Sequence, residues 1–274
     1  MGTYITTQKP DATNAADQKA PPGIKYLDMQ AYVGITKHTG GREATDELLS
    51  LCHIQDAREV LNVGCGIGVS SAYIVKAYGC RVVGVDLSEK MIEWSRLRTR
   101  EERIEDKVDF RVADVLDLPF EDGRFDAVIA ESVIAFVADK ARAIRECIRV
   151  AKPGGYVGFN ESYTNRTPTP EIAGMIRREF GVDLPLLAEW QSLWDASGLN
   201  DRTFNTHAID ARREVQGRMQ WIGAGWVIRA FGRLFRLYLT RPEARQSLKA
   251  QFGSVSVSLA DMGYAVFAGR KEPS

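Results

Sequence analysis

Glycine stands at every second position of Gly64-Cys65-Gly66-Ile67-Gly68, directly after the apolar run Val60-Leu61-Asn62-Val63. Without Cβ atoms such a loop lets the backbone approach a ligand closely, and the helix expected behind it offers unpaired N–H groups. A dinucleotide-binding loop would carry glycine at position 69; Val69 stands there, and the third glycine comes one position early. About 20 residues further on, Val82-Val83-Gly84-Val85 ends in Asp86, a carboxylate placed to accept hydrogen bonds from two ribose hydroxyls. Its competing role is to cap a helix starting at Glu89, for which Ser88 is better placed. Phe110-Arg111-Val112-Ala113 ends in Asp114, suited to an exocyclic amine, with Val115 beside it to pack on a ring. Asp126-Ala127-Val128-Ile129-Ala130 ends in Glu131-Ser132. These polar positions all fall at the carboxyl ends of apolar runs, where open parallel sheets bind ligands.

The elements that must position them follow from the alternation of short apolar runs with helical stretches. Strands are expected at Glu59–Val63, Arg81–Val85, Val108–Val112, Phe125–Ala130 and Gly155–Asn160, and helices near Ser70–Ala77, Glu89–Arg103 and Lys140–Val150. Val- and Ile-rich strands separated by helices make βαβ units and a parallel sheet covered on both faces. Before them come a helical stretch from Tyr26, a break at Gly40-Gly41 and a helix over about Ala44–Leu51. Lys152-Pro153-Gly154-Gly155 reads as the turn that ends a helix, with glycine supplying a left-handed cap. Later, Leu186–Ser197 reads as a helix, Thr203–Ala208 as a strand and Gly263–Gly269 as the closing strand. A mainly helical insert fills about 211–259. Residues 1–25, with Pro21-Pro22-Gly23 at their end, lack periodic apolar positions and read as a flexible tail.

Lys plus Arg and Asp plus Glu both total 36 in the 274 residues. This balance argues against DNA or RNA as a partner, since nucleic-acid binding needs a basic surface to displace counterions. The expected location is the cytoplasm, with Cys52, Cys65, Cys80 and Cys147 as reduced thiols that lack metal-ligand spacing. No metal site is expected, and the thiols do not converge as an arsenic-binding triad would require.

Taken together, Asn62–Gly68, Gly84–Asp86, Ala113-Asp114 with Asp117-Leu118-Pro119-Phe120, Phe125–Glu131 and Lys152–Gly155 resemble the ordered motifs of class I S-adenosylmethionine-dependent methyltransferases. The branch containing ubiquinone and menaquinone C-methyltransferases is the most similar in its motif set. The likeness covers roughly Tyr26 to Tyr163 and the closing strand. It implies a Rossmann-like α/β fold, doubly wound, with a seven-stranded, mostly parallel sheet and a helical cap inserted before the last strand. It also implies S-adenosylmethionine as cofactor and S-adenosylhomocysteine as product. Gly64, Gly66 and Gly68 would surround the methionine portion, Asp86 the ribose, Asp114 with Val115 the adenine, and Ser132 the sulfonium. Cys65, Leu87, Met91, Glu131 and Tyr32 complete the implied cofactor set.

The reaction then needs a nucleophile held in line with the methyl carbon, and a base only where the acceptor loses a proton. Glu161, in Asn160-Glu161-Ser162-Tyr163, is one candidate; a solvated or capping acid is its other reading. Glu131 is the second and His38, in Lys37-His38-Thr39-Gly40-Gly41, the third, while His53 and His207 read as structural. The expected partner is a small, apolar or lipid-like acceptor methylated on carbon, oxygen or nitrogen, and the expected assembly a monomer or homodimer. The rival readings are a cofactor-binding regulator without turnover and an NAD-dependent oxidoreductase. Within 211–245, Arg212, Arg213, Arg218, Arg229, Arg233, Arg236, Arg241 and Arg245 face only Glu214 and Glu243. There Val227, Phe231, Leu234, Phe235 and Tyr238 make one helical stripe, with Arg229, Arg233 and Arg236 on another face and Trp221 and Trp226 adding bulk. The insert reads as a cap over the acceptor pocket, as a membrane-surface helix, or as a dimer interface.

Overall fold

Val60, Leu61 and Val63 of the first strand are buried on both sides, and the buried Asn62 between them donates to Ser71 Oγ at 3.0 Å. The computed structural model describes residues 26–36, 38–180, 183–210, 217, 221–242, 245 and 262–273. The expected tail at 1–25, together with Lys37, Arg212, Arg213 and Arg218, lies outside them.

The described elements run, in chain order, α1 (Tyr26–Val33), α2 (Gly41–Leu51), β1 (Glu59–Val63), α3 (Val69–Tyr78), β2 (Arg81–Asp86), α4 (Glu89–Glu101), β3 (Val108–Val112), β4 (Phe125–Glu131), α5 (Lys140–Val150), β5 (Ala151–Thr164), α6 (Pro170–Phe180), α7 (Leu187–Asp195), β6 (Asn200–Ala208), α8 (Ala224–Thr240) and β7 (Met262–Arg270). The seven strands lie in the order β3-β2-β1-β4-β5-β7-β6, parallel except for β7, which runs antiparallel to β5 and β6. The chain winds outward from β1 to one side and from β4 to the other, so the strand order reverses between β1 and β4. A crevice opens beyond the carboxyl ends of the strands at such a point.

Two apolar layers enclose the sheet. Leu48, Leu49, Ile54, Val60, Ile74, Val82 and Ile129 fill the face under α2 and α3. On the opposite face Phe125, Val128, Phe159, Trp190, Trp194 and Phe267 pack together beneath α5 and α7, with Phe267 in ring contact with Phe159, Trp190, Trp194 and Phe204. Within the insert, α8 lies against α1 through Trp226, Ala230 and Leu237.

Three sequence expectations change. Helix α5 ends at Ala151, which is already extended, and β5 begins there; Gly154, at φ 77°, makes a bulge inside the strand and not a helix cap. The bulge lets Ala151 pair with Phe125 and Tyr156 with Ala127. Strand β5 also runs on to Thr164, because β7 pairs with it over its outer half. Helix α6 has no counterpart among the expected elements.

Candidate active site

Strand register brings the predicted cofactor residues to one level. Val63 pairs with Val85 and Asp86 with Val112, so the glycine loop, Asp86 and Asp114 leave adjacent strands side by side. Gly64, Gly66 and Gly68 have φ of 64°, 53° and 76°, a left-handed path that residues with a Cβ avoid. Their neighbours differ. A Cβ on Gly64 would collide with Val133 and one on Gly68 with Ser95 of α4, whereas one on Gly66 would stand 2.6 Å from the Thr36 hydroxyl. Gly64 and Gly68 thus permit packing between elements, and Gly66 is where the segment after α1 closes on the loop.

Asp86 braces this loop. Its Oδ2 accepts from Gly66 N–H and its Oδ1 from Ser88 N–H, both at 2.9 Å. Burial pushes its carboxyl upward against the two N–H donors that hold it down. Each oxygen has a second lone pair, so these bonds leave acceptor capacity for a ligand. Ser88 Oγ accepts from Met91 N–H and caps α4, as expected. Leu87, 73% exposed, and the exposed Asp114 stand beside Asp86 at the crevice. Val115 turns into the core with Leu118, Met91 packs with Ala31, Ile67 and Trp226, and the Cys65 side chain sits with Ile92 and Phe110. All three of these predicted contacts have buried side chains. Tyr32 is 43% exposed on α1. The four cysteines are buried in three separate clusters, and burial raises the Cys65 thiol well above its usual range.

At the ends of β4 and β5 a polar strap closes the other half of the cleft. Ser132 holds a left-handed φ of 56°, donates its N–H to Asn160 O at 2.7 Å and accepts from Thr39 N–H at 3.2 Å. Thr39 in turn bonds Ser162 Oγ at 2.7 Å and receives Asn160 Nδ2 on its carbonyl at 2.7 Å. Asn160, Ser162 and Thr164 line one face of β5. Asn160 Oδ1 and Thr164 Oγ1 on that face are buried without a hydrogen-bond partner.

Glu131 is buried, and its two oxygens accept from Thr45 and Ser70 hydroxyls, each at 2.6 Å. His38 Nε2 lies 3.6 Å from Glu131, 3.1 Å from Thr45 Oγ1 and 3.0 Å from Gly41 O. A backbone carbonyl can only accept, so His38 Nε2 donates to Gly41 O. The Trp221 ring stands edge-on to His38 at 6.2 Å.

Glu161 does not face the cleft. It is 0% exposed and accepts three N–H bonds, from Val133 at 3.0 Å and Ile134 at 2.8 Å on one oxygen and from Ala135 at 3.0 Å on the other. It caps the 3-10 turn Ile134–Phe136, and this capping role corrects the expectation of an acceptor-facing acid. His53 and His207 do pack as structural groups, against Tyr156 and Tyr264.

Sequence reasoning missed the braces between the loop and the insert. Buried Arg98 donates to Ile67 O of the glycine loop at 3.1 Å and to Ile222 O of the insert at 3.2 Å, with Trp226 stacked on its guanidinium at 4.3 Å. The last carbonyls of α1 are taken by Trp94 on Ala31 at 2.8 Å, Arg233 on Val33 at 2.6 Å and Trp226 on Gly34 at 2.6 Å. These are groups a helix end leaves unpaired, and the Arg233 charge also suits the negative end of the helix dipole. A surface groove lined by Gln191, Trp194, Leu199, Asp201 and Phe204 lies at the amino end of β6, the far end of the sheet from these loops.

Residues 61–159 match the family model described as a methyltransferase domain. That segment is similar to a methyltransferase domain, and the seven-stranded, mostly parallel sheet is the Rossmann-like fold of class I methyltransferases. Norajmaline N-methyltransferase of Rauvolfia serpentina is 34% identical over 149 residues, which are 50% of this chain and 51% of that protein. The chain thus spans about half the length of this relative. Among solved structures, phosphoethanolamine N-methyltransferase 2 of Haemonchus contortus, in complex with phosphomonomethylethanolamine and S-adenosylhomocysteine, superposes with a TM-score of 0.68 at 18% identity, covering 90% of this chain and 57% of that one. The [4+2]-cyclase SpnF superposes with a TM-score of 0.66 at 20% identity, covering 90% and 93%.

Proposed function

We propose that this protein transfers a methyl group from S-adenosylmethionine to a carbon, oxygen or nitrogen of a small, apolar or lipid-like acceptor in a reducing, cytoplasmic setting, as a monomer or homodimer. One observation carries the reading: Gly66, Asp86 and Asp114 meet at the carboxyl ends of β1, β2 and β3, with Gly66 N–H bonded to Asp86. The residues fit an adenosyl sulfonium. Gly66 offers a close approach, Asp86 keeps lone pairs for ribose hydroxyls, Asp114 is open for an exocyclic amine, and Leu87 offers an apolar face for the ring. The matched relative named for an N-methyltransferase and the superposed one holding S-adenosylhomocysteine support the same choice.

When bound, S-adenosylmethionine supplies a methyl group made electrophilic by its sulfonium, and it leaves as S-adenosylhomocysteine once that carbon–sulfur bond has broken. The chain's share is positioning. Thr36 and Thr39 cover Gly66 and Ser132, and Asn160 Oδ1 and Thr164 Oγ1 stand ready for an acceptor's polar group. For an acceptor that must lose a proton, His38 Nδ1 serves as base, with Thr45 and Glu131 fixing the ring through Nε2. His38→Gln should then lower turnover at least about 100-fold while cofactor affinity stays within about threefold; undiminished turnover would assign His38 to packing.

A binder without turnover is the second reading, since the fold alone does not fix the function. Incubation with methyl-labelled cofactor and fractionated cell metabolites, followed by mass identification, separates the two. Label should enter a small-molecule fraction with the wild-type protein and not with Asp86→Ala. Tight cofactor binding with no labelled product in any fraction would favour the binder.

A further inference from the structure

Helix α8 carries two exposed lines that its packing does not use. Ile228, Phe231, Phe235 and Leu239, spaced three, four and four residues apart, form one face and are between 57% and 71% exposed. The expected stripe is thereby redrawn. Val227 turns inward with Trp226, Ala230 and Leu237, Leu234 is half-buried, and Ile228 and Leu239 take their place outside. Arg229 and Arg236 flank the outer line, Arg241 and Arg245 follow it, and α8 contains no Asp or Glu. Arg229 is neutralised by Glu101 at 2.8 Å, while Arg236 and Arg241 are exposed.

We propose that α8 docks this chain onto an anionic lipid surface, with Ile228, Phe231, Phe235 and Leu239 set among the acyl chains and Arg236 and Arg241 against the headgroups. A row of large apolar side chains on an exposed helix face marks an interaction surface, and Arg236 and Arg241, on and just after a helix that carries no acid, are complementary to negatively charged lipid. The 17-residue helix lies on such a surface, since no helix among the described residues is long and apolar enough to cross a membrane. Its inner side holds the end of α1 through Trp226 on Gly34 and Arg233 on Val33, two residues before Thr36 meets Gly66. Docking would therefore set the strap over the cofactor crevice beside the bilayer, where an apolar acceptor is concentrated.

The test is co-sedimentation of the full chain with vesicles of phosphatidylcholine alone or of phosphatidylcholine with phosphatidylserine, at low and high salt. It involves no turnover, so its result stands apart from the transferase reading. Partitioning should be at least about tenfold stronger on the anionic vesicles and should fall with salt. The double variant Phe231→Ser/Phe235→Ser should lose about tenfold or more while keeping the wild-type melting temperature, because both rings are exposed. If that variant melts early, Arg236→Glu/Arg241→Glu supplies the same comparison without touching an apolar group. Equal binding to both vesicle types, or binding that neither variant weakens, would overturn the proposal. So would a dimer that forms without lipid and is abolished by the serine variant, which would assign the stripe to a second copy of the chain.

Discussion

The carboxyl ends of β1, β2 and β3 and those of β4 and β5 are both rich in acids and hydroxyls, yet they treat those groups in opposite ways. Asp86 accepts two backbone N–H bonds and remains partly exposed beside an open Leu87. Glu161 accepts three and is sealed, and Glu131 is closed off by two hydroxyls and His38. An acid at the end of a strand is thus a ligand group when neighbouring donors leave it lone pairs and a path to solvent. It is a joint when they do not. In this chain the half proposed to bind the cofactor keeps acceptor capacity, and the other half spends its acids on holding Thr45, Ser70 and a turn, leaving Asn160 Oδ1 and Thr164 Oγ1 buried without partners.

The most severe test of that contrast is cofactor affinity. Asp86→Ala removes both the anchor of Gly66 N–H and the proposed ribose acceptor, and should weaken S-adenosylmethionine binding by at least about 100-fold in calorimetry, roughly two lost charge-assisted hydrogen bonds. Glu161→Gln should leave affinity within about threefold. Comparable losses for the two variants would erase the distinction between the halves.

A smaller effect should come from Arg98, which touches no proposed ligand position. Arg98→Met keeps much of the apolar stem but frees Ile67 O and Ile222 O, both buried carbonyl partners of the guanidinium. Each loss costs about 1–3 kcal/mol of stability, and the loosened glycine loop should bind cofactor about tenfold less well. A full loss of stability with unchanged affinity would show that the loop keeps its shape without this brace.

What could be read in advance divides along the same line. The glycine loop, Asp86, Asp114 and helix α5 at Lys140–Val150 were legible because each depends on local pattern: an apolar run followed by a turn, or a 3.6-residue period after Asp139. Glu161 was misjudged because its partners lie 26 to 28 residues away, in a turn whose orientation depends on how β4 and β5 pair. Arg98 could not be found at all, since its second carbonyl is 124 residues distant. Arg98 shares the buried face of α4 with Met91, Ile92, Ser95 and Thr99, and a helical wheel shows that face without showing which distant carbonyls meet the guanidinium. The insert's stripe was half legible for a related reason: a helical wheel shows which side chains share a face, and only the neighbour α1 decides which face is covered.

Glu161 offers the finest test, because the two halves should respond to pH differently. Burial outweighs its three N–H donors and Lys140, and pushes the carboxyl up to about 7 from its ordinary 4.5. In the folded chain it therefore holds its proton over a range in which the unfolded chain has released it. Stability from this group is full below pH 4.5 and is lost as pH rises through about 7, to the extent of about 3 kcal/mol. Glu161→Gln cannot titrate, and its amide turns a donor toward one of the three N–H groups, which costs about 1–3 kcal/mol. In denaturant titrations the variant should accordingly be weaker than wild type near pH 5, with the gap closing or reversing by pH 8. All other titrating groups are common to the two proteins, so the difference isolates this one. A gap that widens with pH would mean that the three N–H groups hold an ionised carboxylate, and that this end of the sheet stores a charge as the cofactor end does.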